Sequence, residues 1–350
     1  MKRIVSLLLA LIFLVSLPAC AKEEVKPRSK AGGIHTEKGD EYPVDFLFFN
    51  GRAIEFDEFR YYYLNLRDQY LSEDENYFET EGAEETLKEE ALSVLKTAWG
   101  ARLLAEKYKI KLQNKEKISV KKDIEKTIDS YSEKEEFIKE LESSFMTMDL
   151  YEYMMEYSAL YLKLFNTLYK DGGKFAWSDK EFYQYYEENY LAIQQIFIPY
   201  KSGEDKENHP NTLKEAEEIC SQAKDGKDFW QLIEKHGKDE NMLSYPDGYY
   251  FTKGQAEDVL YDAALSLKVG EISSPVAGET GLYILKRMEL KKLRMDQNKE
   301  TTLFGYTDSF GEFHAGAYDE EFQKKFQKTA DQIKVEFGDA WDQISTKTVF

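Results

Sequence analysis

At Ala192 the sequence changes its period, and from there to Glu289 it spells out one small mixed domain. The run AIQQIFIPY reads as a strand, because β-branched and aromatic residues cluster in it at short spacing. Lys201 to Asn211 is a polar loop, Leu213 to Ala223 reads as a helix, Asp225-Gly226-Lys227-Asp228 is a turn, and Phe229 to His236 is a second helix. A loop runs to Pro246, then come GYYF as a strand, Val259 to Leu267 as a helix, and GLYILKRME as a last strand. A β-α-α-β-α-β order within roughly 100 residues predicts a compact α+β domain with an antiparallel sheet and surrounding helices.

The residues before it are patterned differently. VDFLFFNGRAIEF carries apolar runs on either side of Asn50-Gly51, a tight-turn dipeptide, and Asp57 reads as the N-cap of a helix through DEFRYYYLNLRDQYL. From Glu84 to about Gly172 apolar residues recur at helical spacing, and Gly172-Gly173 ends that region. The charge-rich span KEKISVKKDIEKTIDSYSEKEEF is expected to be a solvated helical face. Ser178-Asp179-Lys180-Glu181 has the form of a capping box opening another helix. Tyrosines crowd these helices at Tyr61, Tyr62, Tyr63, Tyr151, Tyr153, Tyr157, Tyr161, Tyr183, Tyr185 and Tyr186. They either pack the helices together or line a groove for unfolded chains, since tyrosine pairs a large apolar body with a polar tip. After the small domain, Leu293 to Gly316 reads as loop, Tyr318 to Ala330 as helix, and IKVEF as a short strand.

Lys2 and Arg3 followed by an apolar run from Ile4 to Leu17 form a secretion signal. The run is too short for a stable spanning helix. Leu17-Pro18-Ala19-Cys20 resembles a bacterial lipobox, which implies acylation of Cys20 and anchoring at the extracytoplasmic face of a membrane in the cell envelope. Residues 21–42 are polar and aperiodic and are expected to be a flexible tether. With Cys20 acylated, Cys220 has no intramolecular partner, and its place in LKEAEEICSQAK suits a small buried hydrophobe. A net charge of −19 excludes the basic footprint that nucleic-acid binding needs. None of the four histidines, His35, His209, His236 and His314, stands at metal-ligand spacing from another ligand.

Several separated motifs carry a family resemblance. AIQQIFIPY, KDFWQLIEKHGKDE, PDGYYFTKGQ, DAALSLKVGEISSPV and GLYILKR occur in the order found in parvulin-type (PpiC, rotamase) peptidyl-prolyl isomerase domains, which residues 191–290 resemble. The flanks are similar to extracytoplasmic foldases of the PrsA and SurA type. That similarity implies that the parvulin-like domain is inserted in, or follows, an all-helical chaperone lobe at 43–190, to which 291–350 returns, with IKVEF pairing near Phe46 to Phe49.

Prolyl isomerisation breaks no covalent bond; it rotates an amide against a barrier of about 18–20 kcal/mol. An apolar slot, a dry surface and hydrogen bonds that favour the twisted amide all help, and no metal or organic cofactor is needed. The resemblance assigns the family's first-strand histidine to Gln195, its last-strand histidine to Tyr283, and its Cys or Asp position to Asp239. The proline pocket falls on Ala256 and Leu260, where the family has Met and Phe, with Phe251 and Gln255 beside them. Gln195 and Tyr283 both carry donors and acceptors that suit bonding to each other or to Asp239, but neither titrates near neutral pH as histidine does. The expectation is a lipid-anchored folding factor that binds unfolded, newly exported or proline-containing polypeptides through a parvulin-like domain of degenerate active site. The alternatives are an active isomerase with a rearranged site, or a non-catalytic scaffold for one partner.

Overall fold

The structure, a computed structural model, describes residues 32–170, 172–307 and 313–350. The signal segment, Cys20 and the first part of the tether lie outside the described residues. The chain forms two compact units: the described residues up to Ala176 with Tyr318–Phe350, and Trp177–Ala317.

The first unit opens with a hairpin, β1 (Ile34–Thr36) and β2 (Gly39–Glu41), in a stretch expected to be tether. The tether therefore ends earlier than Tyr42. Ile34 is buried and bridges Val349, and His35 donates its N–H to the Thr348 carbonyl, so pairing with the chain's last described residues supplies the order that composition does not show. Next come β3 (Leu47–Phe49) and β4 (Arg52–Ala53), joined by Asn50-Gly51 with φ of 51° and 74°, the left-handed pair that a two-residue hairpin turn requires. Helix α1 (Phe56–Glu73) is capped at Glu55; Asp57, expected as the cap, lies instead in the first turn. Helices α2 (Ala83–Lys107), α3 (Asn114–Asp129), α4 (Lys134–Ser143) and α5 (Met148–Tyr169) follow. The charge-rich α3 is solvated on one face, while Val120 and Ile124 bury the other against Phe137, Leu141 and Met155.

Most of the tyrosines named above pack the helices together, while Tyr153, Tyr183 and Tyr185 are half-buried. Tyr61, Tyr62, Tyr63, Tyr151, Tyr157 and Tyr161 are all less than a tenth exposed. Burial pushes the Tyr61 and Tyr157 hydroxyls up to about 12. Arg102 lies among them, ion-paired to Glu58 at 2.7 Å and seated 4.5 Å from the Tyr153 ring centre, so the charge is satisfied by a carboxylate and by π faces together.

The second unit begins with α6 (Asp179–Asn189), whose capping box is formed as the sequence reads: Ser178 accepts from the Glu181 N–H at 3.3 Å and the Glu181 carboxylate accepts from the Ser178 N–H at 2.7 Å. β5 (Tyr190–Pro199), α7 (Pro210–Lys224), α8 (Phe229–His236), β6 (Tyr249–Thr252), α9 (Asp258–Ser266), β7 (Val276–Ala277) and β8 (Gly281–Met288) make an antiparallel sheet of order β6-β5-β8-β7 with helices on both faces. Ile196, Ile198, Leu282 and Ile284 point to α7 and α8; Leu191, Ile193, Phe251 and Leu285 point to the α9 side. Cys220 is buried and donates to the Ser273 carbonyl at 3.2 Å, a packed thiol rather than a presented one.

Residues 293–304, expected as loop, are helical: α10 (Lys292–Phe304). Its KLRMDQNKETTLF has no clear apolar stripe, and tertiary bonds hold it instead, Asn298 donating to the Tyr186 hydroxyl at 3.0 Å and Lys299 pairing with Asp179 at 2.5 Å. β9 (Tyr306–Thr307) and β10 (Phe313–His314) form a small ladder, and the chain then returns to the first unit through α11 (Ala317–Ala330) and β11 (Val335–Phe337). β11 pairs antiparallel with β3, Val335 opposite Phe49 and Phe337 opposite Leu47, giving the sheet β11-β3-β4. The lobe thus carries a small sheet and is not helical throughout.

A pH test follows from the loop that positions α7. The Glu204 carboxylate accepts from the Asn211 N–H at 2.6 Å, the Asn211 amide at 2.8 Å and the Thr212 N–H at 3.0 Å. Desolvation opposes its ionisation, but the bonds from Thr212 and Asn211 outweigh that and bring its pKa down from the usual glutamate value to about 2. A depressed folded-state pKa means stability that is present above the unfolded value, about 4.3, and is lost as pH falls toward 2. Glu204→Gln should remove that contribution at neutral pH and flatten stability over this window, as read from urea midpoints at stepped pH; an unchanged acid limb would show that these bonds do not stabilise the fold.

Candidate active site

The site forms because three neighbouring chains are tied to β5. Along β5, Ile193, Gln195 and Phe197 share one face, and the register sets Tyr249 opposite Ile193, Leu285 opposite Gln195 and Tyr283 opposite Phe197. After α8 the chain is pinned beside the strand: the Lys238 N–H donates to the Phe197 carbonyl at 2.9 Å, and the Gln195 N–H meets the Met242 sulfur at 3.4 Å. Asp239, held between those two anchors, caps the following turn by accepting from the Asn241 N–H at 3.2 Å.

The same carboxylate accepts two side-chain bonds. The Gln195 amide donates to Asp239 Oδ2 at 2.8 Å, and the Tyr249 hydroxyl donates to the same oxygen at 2.8 Å. Burial raises the Tyr249 hydroxyl well above the usual phenol range, and the bond to Asp239 raises it further. Tyr249 thus stays a donor at any physiological pH.

Tyr283 takes a different place from the one expected. Its ring packs against Phe197 with centroids 4.8 Å apart, and its hydroxyl is hydrogen-bonded with the Thr280 side chain. Burial raises its pKa as well, partly offset by that bond. The second partner of Asp239 is therefore Tyr249, which the sequence reading passed over. Its signal was the alternation in GYYF, which turns Tyr249 and Phe251 to the same side.

Gln195, Tyr249, Phe251, Tyr283, Ala256 and Leu260 all line one cavity of about 860 Å³. Gln255, also on its wall, is fixed by accepting from the Thr252 N–H at 3.0 Å. Gly248 makes this geometry possible: its φ is +95°, and a Cβ there would stand 2.6 Å from the Ile193 carbonyl oxygen. The cavity combines apolar walls with a neutral hydrogen-bonding cluster, and its chemistry is that of binding and orienting an amide. Gln195 gives the cluster no group that exchanges protons near neutrality.

Residues 196–289 match the family described as the PPIC-type PPIase domain, or rotamase. The chain carries a parvulin-type rotamase domain. Over 250 residues it is 27% identical to the foldase protein PrsA of Staphylococcus aureus strain Newman, covering 67% of this chain and 73% of that one. Among solved structures it is similar to PrsA from Bacillus subtilis, at 20% identity, covering 72% of this chain and 88% of that one with a TM-score of 0.27. The parvuline of Nitrosopumilus maritimus is 29% identical, covering 29% of this chain and 97% of that one with a TM-score of 0.23.

The cluster is open to a stability test. Asp239→Ala leaves the Gln195 amide and the Tyr249 hydroxyl without their acceptor, and should cost the rotamase unit about 1 kcal/mol, the low end of the scale for stranded donors because Asp239 is half-buried. Asp239→Asn keeps an acceptor oxygen and should lose less. Equal losses in urea unfolding would mean that the three groups do not act together.

Proposed function

We propose that this chain is a bacterial protein-folding factor of the cell envelope. It is lipid-anchored through Cys20 and binds unfolded or newly exported polypeptides, with the rotamase domain as a proline-segment binding module. The observation that carries the reading is the cleft itself. It keeps an apolar wall of Phe251, Leu260 and Ala256 beside a buried-edge hydrogen-bonding cluster, yet holds Gln195 and Tyr283 at the positions assigned to the family's histidines. The kinship with PrsA foldases supports a folding role outside the cytoplasm. The lipobox, read from sequence alone, supports the anchor, and no helix among the described residues is long and apolar enough to cross a membrane.

A second reading, active isomerisation by a rearranged site, is favoured by one observation: Asp239 is present and doubly hydrogen-bonded. Amide rotation needs desolvation and well-placed hydrogen bonds rather than proton transfer, so the loss of histidine does not by itself abolish it. Tyr249 would then be the donor that replaces a ring nitrogen in holding the carboxylate.

A proline-peptide isomerisation assay separates the two. The binding-module reading expects no acceleration over the spontaneous process, which takes tens of seconds, together with suppressed aggregation of several unrelated unfolded proteins. Acceleration lost in both Asp239→Ala and Tyr249→Phe would establish the rearranged enzyme instead. For the anchor, Cys20→Ala should shift the protein from the membrane fraction to the soluble fraction and abolish incorporation of labelled fatty acid; continued labelling would refute Cys20 as the acylated residue.

A further inference from the structure

The cavity beside Asp239 is not closed by rotamase residues alone. Asn298, Thr301 and Thr302 of α10, with Tyr306 and His314 of the β9–β10 ladder, form its other wall. A second cavity of about 700 Å³ shares Tyr249, Tyr250 and Asn298 with the first, and is lined further by Asn241, Tyr245 and Arg294. The segment after the last sheet strand therefore adds a wall to the site, and the two cavities meet at Tyr249, Tyr250 and Asn298. The first cavity alone lies near the top of the range of roughly 300–1,000 Å³ for pockets that enclose a small ligand, well beyond the needs of one proline ring. Two adjoining cavities of this size suit a segment of several residues, at about 3.3–3.6 Å per extended residue.

The lining of the larger cavity carries a charge preference, while Arg294 in the smaller one is paired with Asp247 at 3.4 Å. Among the described residues of the larger cavity the one carboxylate is Glu257, and there is no lysine or arginine. Glu257 Oε2 accepts from the Glu279 N–H at 2.9 Å, which holds the carboxylate at the cavity edge. Tyr306 and His314, also in the lining, stack with centroids 4.7 Å apart. A lining that holds a carboxylate and aromatic rings but no lysine or arginine suits a cationic side chain and disfavours an anionic one.

We propose that α10 and the β9–β10 ladder are a specificity-determining extension of the rotamase site, which takes an extended peptide and selects a basic over an acidic residue beside the proline. This rests on the polypeptide-binding reading above, and adds to it the substrate class and the residues that choose it.

The test measures binding of short fluorescent peptides with lysine, alanine or glutamate directly before proline to the full-length protein. The unaltered protein should prefer lysine to glutamate by roughly two- to fivefold, the scale of one solvent-accessible charge contact. Thr301→Lys, at an exposed position of the groove wall, should cancel or reverse that order. Tyr306→Ala, also exposed, should weaken all three peptides. Unchanged thermal transitions would certify that both variants fold. An order of affinities that Thr301→Lys leaves untouched, while Leu260→Asp in the rotamase wall abolishes binding, would overturn this inference and leave the binding-module reading standing. Failure of the unaltered protein to bind any of the peptides would overturn both.

Discussion

The first unit depends on a pairing between distant parts of the chain. β11 must find β3, with Val335 opposite Phe49 after nearly the whole chain has intervened, before the sheet at the base of the lobe exists. The same closing stretch brings Trp341 to within 5.3 Å of the Phe59 ring and 6.4 Å of Phe46, and sets Val349 against Ile34. Closing so long a loop costs entropy before any contact repays it. The rotamase unit has no such debt, since all its strand pairings lie within Trp177–Ala317. A chain made from its N-terminus therefore completes its first unit only after the inserted unit has had time to fold.

Within the rotamase unit a few hydrogen bonds do the positioning. The Lys238 bond to Phe197 fixes the exit of α8, and that exit fixes Asp239 beside Gln195. Left-handed Gly248 lets β6 lie close enough for Tyr249 to reach the same carboxylate. The site is thus a product of backbone register more than of any single side chain.

Much of this was legible in the sequence, and the misses share a cause. Strand and helix order from Ala192 to Glu289 (the two-residue β7 excepted), the Asn50-Gly51 turn and the Ser178 capping box are local signals, and local signals read directly. The pairing of IKVEF with the first lobe strand was legible only through resemblance. What failed to show were features decided by tertiary bonds: the β1–β2 hairpin held by Val349, and α10 held by Tyr186 and Asp179. At the site, the sequence left Gln195 and Tyr283 to bond each other or Asp239; Gln195 bonds Asp239, and the carboxylate's other side-chain partner is Tyr249. Strand register, unlike motif spacing, shows that Tyr283 faces Phe197.

An amide at position 195, rather than an imidazole, has a consequence for the conditions under which the cleft works. An imidazole gains a proton near pH 6.5 and, with it, changes from acceptor to donor. The Gln195 amide and the Tyr249 hydroxyl keep the same donors and the same direction of bonding across the range in which histidine switches. These two grips on Asp239 therefore do not reverse direction when the surroundings turn acidic.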